Sequence, residues 1–289
     1  MPAYERQRGP WEPALLRDIY FVDQRELSAA RRRGAYRALA AVASGEPHIV
    51  EDEQLRGATA LASLLAQPQP SPVALVDAVT TSVGEFATRP LCERDPHAVV
   101  EGACLAALAV GASRAIVRVR AGWPEAERAL VAAVADARRA ELLAGVDVDV
   151  AVIGDVTAPA TSDAADDASD AWSLPAPRAV ALVRVAAIAT QALPGEDGFS
   201  LAYHWWSLHA PSLCAVSGDV LRPGVYELPL DATVADALAA AGGVVDGVRV
   251  AELGGYLADG VLARDATRPL PTALVVFHAR RELAAFTYE

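Results

Sequence analysis

The chain alternates between apolar runs of helical length and shorter apolar runs bounded by turn residues. Positions 24–43 carry Leu27, Ala30, Tyr36, Leu39 and Val42 at helical spacing, with Arg31, Arg32 and Arg33 on the polar side, which predicts a helix. A second helix is expected over 51–66, before the break at Gln67-Pro68-Gln69-Pro70. Strands are then predicted at 72–76, 115–119 and 146–152, separated by helices over 96–110 and 124–143. Both helices open on a proline, which suits the first helical turn. Strands joined by helices of this length pair in parallel, so residues 69–195 read as an α/β domain.

The texture changes twice. Residues 157–178 are Ala, Asp, Ser and Pro with almost no large apolar side chain; they read as a flexible acidic linker anchored by Trp172. An apolar helix is expected over 179–193. Beyond residue 196 the order is strand (213–220), turn at Arg222-Pro223-Gly224, strand (225–228), helix (233–241) and stop at Gly242-Gly243. Short strands at 248–253 and 273–277 complete the order of a β-grasp, ubiquitin-like domain. The expected organisation is an arm and helices over 1–68, the α/β domain over 69–195, and the β-grasp domain over 196–289.

Composition narrows the chemistry. The 289 residues carry a formal charge of −12, which argues against a nucleic-acid partner. All 25 basic residues are Arg, because the sequence has no Lys, and it has no Asn. Schiff-base and P-loop lysines are therefore excluded. Cys92, Cys104 and Cys214 form no CxxC pair and read as buried thiols in a reducing compartment. No apolar run has the length of a membrane span, and residues 1–13 lack the apolar stretch of a signal peptide, so a cytoplasmic protein is expected. His97 and Glu101 stand four apart on the helix over 96–110. That spacing suits a metal, but no third ligand accompanies it, and the pair reads as structural or exposed.

Two segments resemble a known family: DPHAVVEGACLAALAVGASRAIVRVRAGWPEAERAL at 95–130 and AVSGDVLRPGVYELPLDATVADALAAAGG at 215–243. Both are similar to the F subunit of NADH-quinone oxidoreductase, the NADH- and FMN-binding flavoprotein subunit of complex I. The second resembles that protein's soluble-ligand-binding β-grasp (SLBB) domain. Weaker agreement extends to Gly34-Ala35-Tyr36 and to Leu55-Arg56-Gly57. The resemblance implies an FMN-binding-like α/β domain, FMN and NADH as cofactors, and an iron–sulfur domain.

Residue by residue, that chemistry is largely absent. The family's flavin loop, LRGRGGAGFPTGLKW, matches Leu55-Arg56-Gly57 here, and then Ala and Leu replace its glycines. Side chains there would block the approach of backbone N–H groups to a phosphate. The family's NADEGEPG falls on residues 77–84, where Val79, Thr80 and Ser82 replace its carboxylates and only Ala78 and Gly84 survive. The asparagines expected near 183–187 and the flavin-loop lysine cannot exist, and no cysteine-rich cluster domain is expected. Arg56, Gly57, Asp77 and Gly84 are thus the remnants of a flavin site, and Tyr203, His204, Trp205 and Trp206 form an aromatic partner or ligand surface.

These residues point first to an accessory, redox-inactive homologue, with no cofactor and no iron–sulfur cluster. It would scaffold or dock beside a ferredoxin-like protein, a flavoprotein or a membrane cytochrome, with a location peripheral to a membrane complex. A working NADH/flavin electron-transfer subunit with a modified pocket and a β-grasp ligand-binding module are the alternatives.

Overall fold

A computed structural model describes residues 13–44, 71–79, 84–154, 171–190, 211–245, 254–257, 262–263, 267 and 269–277. The described chain divides into two compact units. One comprises Leu15–Val79 and Thr88–His209, the other Met1–Ala14, Thr80–Ala87 and Ala210–Glu289.

The first unit is built on a four-stranded, fully parallel sheet. Its strands are β1 (Val73–Asp77), β2 (Arg114–Arg120), β3 (Asp147–Ile153) and β4 (Trp172–Pro175), in the order β3-β2-β1-β4. Ala74, Val76, Ala115, Val117, Val119 and Val148 are buried and alternate along their strands, so they share one face. Three helices meet this sheet: Pro96–Val110, Pro124–Arg139 and Ala176–Thr190. The opposite face carries Val73, Leu75 and Ile116 as a small apolar cluster. Two ion pairs lie on the same face, Arg114–Asp149 at 3.2 Å and Asp77–Arg118 at 2.5 Å.

The helix expected over 24–43 is two short helices, Leu27–Arg32 and Arg37–Ser44. The break lies at Gly34 (φ 101°) and Tyr36 (φ 65°). It is fixed from outside the segment, because the Tyr36 and Leu39 N–H groups donate to the Glu101 carboxylate at 2.8 and 3.3 Å. The linker expected over 157–178 also ends early. Trp172–Pro175 pair with Ala74–Asp77 as β4, and the helix starts at Ala176. Pro175 is tolerated because β4 is an edge strand and the proline stands at its last position.

The second unit is a five-stranded sheet in the order β6-β5-β9-β7-β8. Strands β5 (Pro211–Gly218) and β6 (Gly224–Pro229) form an antiparallel hairpin, and β9 (Ala273–Phe277) runs parallel to β5. Strands β7 (Gly254–Leu257) and β8 (Leu262–Ala263) complete the antiparallel edge. A helix over Val234–Ala240 packs Val234, Ala237 and Leu238 into a core with Cys214, Val216, Leu228 and Leu274. Hairpin, helix and a last strand parallel to the first make this the β-grasp arrangement. The strand expected over 248–253 and the helix expected over 51–66 lie outside the described residues.

Candidate functional site

In open parallel sheets ligands sit beyond the strand C-termini where the strand order reverses. The chain runs β1, β2, β3 outward on one side and places β4 on the other side of β1, so the reversal falls between β1 and β4. Asp77 ends β1 there, opposite Arg118 of β2 and Pro175 of β4. The Arg118 guanidinium donates to both Asp77 oxygens, from Nε at 2.5 Å and from Nη2 at 2.6 Å. This bidentate pairing engages both carboxylate oxygens and fixes the guanidinium plane. Residues 55–65 and 80–83, where the family's flavin segments fall, lie outside the described residues. The pair occupies both Asp77 oxygens, and the sequence has no Lys or Asn to add there.

Gly84 belongs to the β-grasp unit, and a Cβ there would stand 2.5 Å from Val275 Cγ2. Its φ of +75° and that close approach account for the glycine locally. Arg56, Gly57, Tyr203, His204, Trp205 and Trp206 lie outside the described residues.

A second polar constellation joins residues 15–44 to the helices over Pro96–Val110 and Ala176–Thr190. His97 and Glu101 are fully buried. The Arg25 carbonyl accepts from His97 Nε2 at 3.2 Å; a carbonyl can only accept, so Nδ1 takes the Tyr36 hydroxyl proton at 2.9 Å. Burial lowers the His97 pKa and keeps the ring neutral. Burial pushes the Glu101 carboxyl up to about 7, against two backbone N–H groups that favour the anion. The pair is thus a structural clamp on the break at Tyr36, with its hydrogen-bonding groups used.

Arg184 lies in the apolar stretch 179–189 of its helix, and its Nη2 bridges Asp18 at 2.9 Å and Asp95 at 3.1 Å. Gln24 donates to Asp95 at 2.8 Å and accepts from Arg33 at 3.0 Å; Arg33 also pairs with Asp23 at 2.6 Å and stacks over Phe21. The sequence pattern places Arg33 on a polar helix side and assigns no role to Asp18, Gln24 or Arg184. The one available signal was a lone charge in the run AVALVRVAAIA, which burial would force into a pair.

These elements enclose a cavity of about 540 Å³. Arg17, Arg32, Arg33 and Arg37 line it together with Asp95, Glu101 and Arg184. Its apolar lining is mostly alanine, with Ala35, Ala38, Ala98 and Ala187 beside Val183 and Ile188. The three cysteines are buried, and burial pushes each thiol up to about 12, so none is a ready nucleophile.

The SLBB domain profile matches residues 214–262. The chain is 32% identical over 140 residues to an NADH-quinone oxidoreductase F subunit (the one numbered 2) of Rhizobium meliloti (strain 1021), covering 44% of this chain and 33% of that protein. It is 28% identical over 178 residues to the NADH-quinone oxidoreductase F subunit of Aquifex aeolicus (strain VF5), covering 54% of this chain and 42% of that protein. A 72-residue stretch is 40% identical to "NADP-reducing hydrogenase subunit HndC" of Solidesulfovibrio fructosivorans, covering 23% of this chain and 15% of that protein. The chain thus spans well under half the length of each of these curated relatives. Among solved structures, an NAD+-reducing [NiFe]-hydrogenase in the air-oxidized state superposes with a TM-score of 0.61 at 21% identity, over 98% of this chain and 53% of that one. That likeness establishes the fold. No helix among the described residues is long and apolar enough to cross a membrane.

Proposed function

We propose that this relative of the NADH-quinone oxidoreductase F subunit is an accessory, redox-inactive component that scaffolds or docks other carriers in an electron-transfer complex. The observation that carries the reading is the Asp77–Arg118 pair. It stands where the family's flavin segment begins, and both of its groups are engaged with each other. The sequence supports the same reading, since the flavin-loop glycines, the asparagines and the lysine have been replaced. Each lost hydrogen bond to a charged or polar cofactor group removes about 1–3 kcal/mol, so several together weaken FMN binding by orders of magnitude. Arg56, Gly57, Asp77 and Gly84 are read as inherited positions that no longer form a cradle, and Tyr203–Trp206 as a surface for a partner.

Two measurements on the full chain test this. Titration with FMN followed by flavin fluorescence is expected to give no saturable binding at micromolar concentrations. NADH with an artificial acceptor is expected to give no turnover above background, with or without added FMN. A yellow protein releasing one FMN per chain on denaturation would overturn the redox-inactive half. Isolation from the native host is expected to bring down a ferredoxin-like protein, a flavoprotein or a cytochrome; recovery as a lone chain would overturn the docking half.

A further inference from the structure

The cavity beside Arg37 has no place in the reading above, and its lining is specific. Four arginines stand at it from residues 15–44: Arg17, Arg32, Arg33 and Arg37. Their carboxylate partners are few. Asp23 is shared by Arg32 at 3.5 Å and Arg33 at 2.6 Å. Asp18 is shared by Arg17 and Arg184. Arg37 pairs with no carboxylate among the described residues. Asp95 pairs with Arg184 and accepts from Gln24, and Glu101 accepts from two backbone N–H groups. The five lining arginines, Arg184 included, thus outnumber the four carboxylates Asp18, Asp23, Asp95 and Glu101 by one, and Arg37 is the one with no carboxylate partner among the described residues. A concave surface with one guanidinium in surplus, on a chain of net charge −12, attracts anions locally. The remaining lining is of small apolar side chains, and the volume lies within the range of small-molecule sites.

We propose that this cavity binds a small phosphorylated metabolite, its phosphoryl groups held by Arg37 with Arg32 and Arg33, and its apolar body laid against Ala38, Ala98 and Ala187. Arginine suits the phosphoryl group because its planar fork matches two oxygens at once. Alanines suit the body because they leave room that larger side chains would fill.

The test uses the full chain and three probes in calorimetry at about 0.1 M salt: ADP, inorganic pyrophosphate and adenosine. ADP is expected to bind saturably, with pyrophosphate weaker and adenosine weaker still. The affinity for ADP should fall several-fold at high salt, as charge pairing at an open site is screened. Arg37→Glu is expected to weaken ADP by roughly 10-fold or more, the loss of about one charge-assisted hydrogen bond plus added repulsion. Arg37 is exposed and opens its helix, where an acidic residue is favoured by the backbone dipole, so the variant should fold. Ala187→Leu keeps every charge and fills the cavity; it should weaken ADP while leaving the thermal midpoint near the parent value. No saturable heat with ADP, or ADP binding unchanged in both variants, would overturn the proposal. ADP bound at the site of a working redox protein would be indifferent to Arg37→Glu, so the two readings fail separately.

Discussion

Gly102 and Ala179 meet where the helices Pro96–Val110 and Ala176–Thr190 cross, and a Cβ on Gly102 would stand 2.3 Å from the Ala179 carbonyl oxygen. A backbone oxygen cannot rotate away, so the helices would have to part. Gly102→Ala is therefore expected to destabilise the α/β unit by about 1–3 kcal/mol, although alanine is the better helix former by up to ~1 kcal/mol. Gly111→Ala is the control. Gly111 has φ 73° and open space around its Cβ position, so its cost is conformational only, about 1–2 kcal/mol. Urea denaturation compares the two. Gly102→Ala with unchanged stability would contradict the close crossing.

The Glu101 carboxyl gives the protein a pH dependence of defined sign. Its pKa is about 7 in the folded chain, against 4.5 for an unperturbed Glu. The folded state binds the extra proton, so this contribution to stability is full below pH ~4.5 and lost as pH rises to about 7. The loss is on the order of 3 kcal/mol. Asp95, also raised by burial, acts in the same direction, and His97, lowered by burial, acts in the opposite one. Comparing the parent with Glu101→Gln isolates Glu101, because both other groups remain. Glu101→Gln is expected to flatten the fall in stability between pH 5 and pH 8, measured by chemical denaturation at each pH. Parallel pH profiles for the two proteins would sink the assignment.

Local periodicity carried the elements that are buried on one face and capped by sequence. The helix Pro96–Val110 and the strand Ala273–Phe277 have the bounds read from the sequence, because proline, glycine and apolar run length all act within a few residues. The breaks that were missed are set by partners far along the chain. Tyr36 takes φ 65° because Glu101, 65 residues later, accepts from its N–H. Trp172–Pro175 is a strand because β1 lies beside it, while its own composition reads as loop. Of the candidate site residues, Asp77 stands at the strand end as expected. Its partner Arg118 could not be named, since register across a parallel pair is not written in either strand alone.

Two positions in the β-grasp unit separate strain from capping. A Cβ on Gly218 would lie 2.1 Å from the Val276 carbonyl oxygen, at φ 86°. Gly218→Ala meets both a clash and an unfavourable backbone, so a loss of more than about 3 kcal/mol is expected. Thr233 caps the helix Val234–Ala240 in a reciprocal box: its hydroxyl accepts from the Asp236 N–H at 3.4 Å, and the Asp236 carboxylate accepts from the Thr233 N–H at 2.8 Å. Thr233→Ala is expected to cost about 1 kcal/mol and leave the fold intact. Circular dichroism melts of both variants check the order, and a Gly218→Ala protein as stable as Thr233→Ala would refute it.

The Asp77–Arg118 pair separates a structural role from a remnant binding role. Both side chains are about a quarter to a third exposed, so solvent screens the pair and its worth lies above that of a surface bridge without reaching that of a buried one. A double-mutant cycle with Asp77→Asn, Arg118→Gln and both together should return a coupling of about 1–2 kcal/mol. Asp77→Asn also restores the residue type that the resembling family places at the start of its flavin segment. Should that one change have removed the cofactor, the variant would bind FMN. The loop glycines and the lysine are missing as well, so no flavin fluorescence quenching is expected from Asp77→Asn. Saturable quenching by this variant, absent in the parent, would mean that the ion pair alone holds the site closed. A coupling near zero would mean that the two groups are neighbours without mutual stabilisation, and the redox-inactive reading would lose the observation that carries it.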